Sequence, residues 1–120
     1  MMITAAMLAL IEEAGAAVLV LVDGVEELEF ARSRLTRFEV VRQLMVMADL
    51  LDSLPESAQR AMPEIDWAGW RLVALTLRSK NRPQADTAWV AATAMVPATL
   101  SWLRVYRRAE PALFEFKPTV

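Results

Sequence analysis

The chain has 120 residues, 56% of them hydrophobic, with 13 basic against 15 acidic side chains and a net charge of −2. That length suits one domain with one core, and the charge balance lacks the basic excess that non-specific nucleic-acid binding needs. Histidine and cysteine are both absent, which excludes a His general base, a His or Cys metal cluster, a Cys nucleophile and a Ser-His-Asp triad.

The apolar content exceeds what one small core needs, so either an oligomer interface or an apolar cavity is expected. Residues Met1 to Val22 are apolar enough to suggest a membrane span, but Glu12 and Glu13 lie in the middle of the run. Two carboxylates at a bilayer centre are costly, so the stretch reads as a buried bundle helix. No secretion signal is apparent, and the expected location is cytoplasmic, without membrane contact and without a cofactor.

The first helix is expected from about Thr4, a candidate N-cap, to Val22, with Asp23-Gly24 as its stop. Being apolar or small at nearly every position, it should be covered on most sides, as a central or dimer-forming helix would be. Val25 to Ser33 reads as a helical turn or two anchored by Phe30. Thr36-Arg37-Phe38-Glu39 matches a capping box and predicts a second helix to about Ser53.

Leu54-Pro55-Glu56-Ser57 opens a short third helix with Pro in its first turn, and residues 62–66 form a connector. Asp66 is the expected N-cap of a fourth helix running to about Lys80, ended by Asn81-Arg82-Pro83-Gln84. Trp67 and Trp70 are i,i+3 neighbours and should share a face. Asp86 is the expected cap of the last helix, in which Pro97 removes a backbone hydrogen bond and should produce a kink. The predicted fold is all-α, an up-and-down antiparallel bundle of four to five helices over residues 1–110. Residues 111–120 form a tail that either docks through Phe114 and Phe116 or stays loose.

The order of landmarks resembles the HepT-like branch of the HEPN superfamily over roughly residues 9–105. They are Ile11-Glu12-Glu13-Ala14, Val22-Asp23-Gly24, the acidic stretch with Phe30, Arg34-Leu35-Thr36-Arg37, Val41-Arg42-Gln43-Leu44, Leu54-Pro55-Glu56, Pro63-Glu64-Ile65-Asp66-Trp67, Ala88-Trp89 and Val96-Pro97. The resemblance implies a dimerising helical bundle of the ribonuclease-toxin kind, paired with a small nucleotidyltransferase antitoxin. It also implies a site of Arg, four residues, His, one residue and Tyr on the helix that corresponds to Trp67–Lys80.

That site is missing. Counted from Arg71, Thr76 stands where His belongs and Arg78 where Tyr belongs; aligned from Trp67, Ser79 and Asn81 stand there instead. The one tyrosine, Tyr106, lies on the last helix. Ala48-Asp49-Leu50 replaces the Gly-Glu-Ala that the family tends to have, and Ala94-Met95-Val96 replaces acidic residues before Pro97. Drift into a pseudoenzyme and deliberate redesign both produce this pattern.

Two groups could supply other chemistry. Asp49 is either a solvated edge residue, in line with Arg42 and Ser53, or a carboxylate facing an apolar cavity, where desolvation would make it a base. Lys80 has its stem on an apolar face; it either snorkels to water or, desolvated, becomes an amine nucleophile. Arg71 and Arg78 are two turns apart and could receive a phosphate or carboxylate, or form a solvated or salt-bridged stripe. Trp67, Trp70, Trp89, Met45 and Met95 are candidates to line a small apolar ligand's pocket, against the alternative of core or dimer packing. The leading expectation is a non-catalytic binding and dimerisation module. The alternatives are an enzyme using Asp49 or Lys80 and a structural homo-oligomer.

Overall fold

The computed structural model describes residues 2–79 and 84–115. It is all-α, an up-and-down antiparallel bundle whose four long helical segments follow one another around a single core. In chain order these are α1 (Met2–Val22), α3 (Arg34–Ser53), α5 (Trp67–Arg78) and a composite last segment. That last segment comprises α6 (Gln84–Val90), a π-helical turn (Ala91–Met95) and α7 (Val96–Ala109). Two short helices, α2 (Glu27–Arg32) and α4 (Glu56–Ala61), sit in the connections. α1 packs between α3 and α7, and α3 and the last segment both pack on α5.

α1 is long and apolar enough to cross a membrane by length and composition. In this fold, however, its Leu8, Ile11, Ala14 and Val18 stripe lies inside the bundle. Glu12 forms an ion pair with Arg107 of α7. Thr4 is not the N-cap: the helix already runs through it, and its side chain is buried. The expected stop holds, because Gly24 adopts φ +72°, a left-handed conformation that carries little cost only in glycine. Gly15 faces α7, where a Cβ would lie 2.8 Å from Cδ2 of Leu100, so its missing side chain sets how closely the two helices approach.

The capping box at Thr36 is also corrected. Ser33 caps α3, its Oγ accepting from the Thr36 N–H at 3.4 Å and donating to Thr36 Oγ1 at 2.9 Å. Its own N–H donates to the Glu29 carbonyl at 3.0 Å and so closes α2. One residue ends one helix and starts the next, which leaves no room for a separate cap at Thr36. Glu39 turns outward to Arg42 and Gln43 instead.

α3 buries Val40, Leu44, Met47, Ala48 and Leu51 along one stripe, while Val46 and Asp49 face solvent. At its end Gln59 Nε2 donates to the carbonyls of Leu51 and Leu54, at 3.3 and 3.1 Å, satisfying acceptors that a helix end leaves open. Pro55 precedes α4 as its N-cap rather than sitting in its first turn. Asp66 does cap α5, Oδ1 accepting from the Gly69 N–H at 2.9 Å.

Asp86 lies within the first turn of α6 instead of capping it. Pro97 falls directly after a π-helical turn, and the residues on both sides of it remain helical. The Val96 N–H reaches back to the Ala91 carbonyl, one residue further than in an α-helix, so the irregularity expected at Pro97 takes the form of a π turn just before it. Beyond α7, Pro111–Phe114 forms a 3₁₀ turn that buries Phe114. The Arg107 guanidinium lies 4.6 Å from that ring's centroid. Phe116, the other expected anchor, lies outside the described residues.

Candidate functional site

α5 carries two faces. Trp70, Val73, Ala74, Thr76 and Leu77 are buried, whereas Arg71, Leu72, Leu75 and Arg78 point to solvent. The buried face is closed by a specific polar contact: Trp70 Nε1 donates to Thr99 Oγ1 of α7 at 3.0 Å, both groups being inside the core. Among the described residues no buried side-chain nitrogen or oxygen lacks a partner.

On the outer face, Arg78 pairs with Asp49 of α3, and Arg71 Nη1 lies 4.0 Å from Asp52 Oδ1. These pairs lie over a shallow cleft of about 200 Å³ between α3 and α5. All four side chains are more than half exposed, so the pairs contribute little stability. The two arginines therefore form a salt-bridged stripe with acidic residues of the same chain. The desolvated Asp49 expected of a general base is corrected as well: its side chain is 55% exposed and ion-paired. Lys80 lies outside the described residues.

The aromatic and methionine candidates do not converge on one pocket. Trp70 is interior, while Trp67 is half-buried at the start of α5, its Nε1 donating to the Met62 carbonyl at 3.0 Å. Trp89 packs on Phe30 of α2, with ring centroids 5.2 Å apart. Met45 and Met95 are half-buried and fill the margin of the core. Of the positions where the resemblance would put a site, Thr76 is buried, Arg78 is exposed and Ser79 is the C-cap of α5; Asn81 lies outside the described residues. Among the described residues no group of three or more His, Cys, Asp or Glu could hold a metal ion.

Sequence reasoning missed two surface features. The first is a groove of about 480 Å³ between α1 and α3, with Leu10, Ala14, Ala17, Val46 and Leu50 as its apolar lining and Glu13, Gln43 and Asp49 on its polar margin. Around it Ile3 and Val20 extend the exposed apolar side of α1, Val20 being 76% exposed. α1, expected to be covered on most sides, buries only one stripe within a single chain and leaves Ile3, Leu10 and Val20 exposed; the sequence signal for this was the surplus of apolar residues.

The second is an open cleft of about 570 Å³ at the start of α3, lined by Arg34, Leu35, Arg37, Phe38, Val41, Gln84 and Ala85. Phe38 is 70% exposed there, and Arg37 donates to the Ala31 carbonyl. Glu39 stands close by on the same helix. Hydrogen bonds from Arg42 and Gln43 hold its carboxyl below the usual glutamate range, and Arg42 is raised in turn.

No family model matches this chain, and no significant match was found among curated proteins or solved structures.

Proposed function

We propose that this protein is a non-catalytic HepT-like interaction module of a toxin-antitoxin type pair, working by self-association and by contact with a nucleotidyltransferase partner. The observation that carries this reading is the exposed apolar groove between α1 and α3, beside a core in which Leu8, Ile11, Leu44 and Met47 are already fully buried. Leu10 and Val46 gain little by facing water, and burying them against a partner is favourable in proportion to the apolar area covered. An interface of ordinary size removes roughly 800 Å² per partner, an area that the outer surfaces of two helices of about 20 residues can supply.

Among the described residues, two of the other candidate groups are already partnered. Asp49 is held by Arg78, and the Trp70 indole by Thr99. The family-like site positions are taken by Thr76 and Arg78 in one register, and by Ser79 and Asn81 in the other. None of these is a base at neutral pH that could replace an imidazole.

The test is sedimentation velocity across the micromolar range, with a ribonuclease assay on the same sample and a pull-down against a nucleotidyltransferase bait. Concentration-dependent association without RNA cleavage is expected. A monomer at every concentration that also fails to capture the bait, or metal-independent cleavage, would overturn the reading.

A further inference from the structure

The α1–α3 groove has an acidic margin. Glu13 is exposed and enters no ion pair among the described residues; Asp49 stands on the opposite side, more than half exposed and paired with Arg78. The outer face of α7 has the opposite character. Val96, Thr99, Leu103 and Tyr106 point inward, which leaves Ser101, Arg104, Val105 and Arg108 on the solvent side at i, i+3, i+4 and i+7. Arg104 and Arg108 also enter no ion pair among the described residues. Beside them Trp102, 37% exposed, and Val105, 50% exposed, supply an apolar lane.

An apolar groove with unpaired acid on its margin and an apolar strip flanked by unpaired arginines are complementary surfaces carried by one chain. We infer that the groove receives α7 of a second copy. Val105 and Trp102 lie along the groove lined by Leu10 and Val46, and the arginines at positions 104 and 108 approach the side of the groove that carries Glu13, the acid there without an ion pair among the described residues. An aromatic anchor beside charges of opposite sign is the composition that dominates binding energy at protein interfaces. The arrangement is heterologous: each copy offers a groove to one neighbour and a strip to another, so assembly proceeds to a ring if the rotation closes and to an open chain if it does not. The inference rests on the self-association reading above and specifies its geometry.

A charge-swap experiment at low ionic strength, where exposed charges are least screened, tests it. The variants are Glu13→Arg and the double change Arg104→Glu with Arg108→Glu, all at solvent-facing positions, with far-UV circular dichroism confirming that each keeps its helices. By sedimentation velocity, each variant alone is expected to associate at least about tenfold more weakly than the unaltered chain, because like charges then face each other. A 1:1 mixture of the two variants is expected to regain association, because the reversed groove of one meets the reversed strip of the other.

Retention of full association by the Arg104→Glu, Arg108→Glu variant, or no recovery on mixing, would overturn the head-to-tail geometry while leaving self-association standing. Absence of association in the unaltered chain would remove both.

Discussion

The Trp70 indole and the Thr99 hydroxyl, 3.0 Å apart inside the core, are the polar contact that joins α5 to α7. Thr99→Val keeps the side-chain shape but removes the acceptor, leaving a buried N–H without a partner. A loss of about 1–3 kcal/mol is expected, and Thr99→Ser should recover most of it. Thermal unfolding followed by circular dichroism reads the difference; equal melting temperatures for the Val and Ser variants would show that the bond contributes nothing.

Gly15 and Leu100 set the α1–α7 spacing. Gly15→Ala gains about 1 kcal/mol of helix propensity but pushes against the flexible end of Leu100, so the net change should be small. Gly15→Leu has no such escape, and overpacking should lower stability by about 1–3 kcal/mol. Urea denaturation of both variants checks the contrast; a Leu variant as stable as the Ala variant would mean that α1 and α7 are not in close contact.

Ser33 and Thr36 distinguish the observed cap from the one the local pattern suggests. Ser33→Ala should cost about 1 kcal/mol, and Thr36→Ala less, because the capping oxygen would remain. The midpoints of urea transitions with unchanged slope give the comparison. The reverse order would place the cap at Thr36.

Glu39 should titrate below an ordinary glutamate, because hydrogen bonds from Arg42 and then Gln43 favour its charged form. A depressed folded-state pKa contributes stability above the unfolded value. That contribution is present at neutral pH and is lost as pH falls through the folded pKa, below the ordinary glutamate range. The pair is exposed, so the effect is small and weakened by salt. The Glu39 titration followed by carboxyl chemical shifts in NMR should move up toward the ordinary range in Arg42→Ala, with the Gln43 hydrogen bond keeping part of the depression; an unchanged titration would show that Arg42 is not the main cause.

Local signals carried much of the fold. Gly24 and Asp66 stop and start helices through their own backbone and side-chain chemistry, so they can be recognised without knowing the rest of the chain. Ser33 escaped notice because its cap role depends on α2 ending at that residue, while Thr36 and Glu39 satisfied the capping pattern by residue type alone. The π turn before Pro97 was hidden for a related reason: proline announces a missing donor but not how the backbone absorbs it. The fate of Asp49 was decided by Arg78, 29 positions away, a distance at which helical spacing carries no information. The groove could be foreseen only as a surplus of apolar residues on α1. Where that surplus lies depends on how α1 is rotated against α3 and α7.

Sedimentation equilibrium of the unaltered chain beside Leu10→Asp addresses the role of the α1–α3 groove most directly. Leu10 is half exposed at the groove, so the substitution should leave the circular dichroism spectrum unchanged while placing a carboxylate in the apolar contact. Association of the unaltered chain in the micromolar range and a monomeric Leu10→Asp variant are the expected results. Equal association of the two proteins, or a monomer in both, would contradict the groove as an interface.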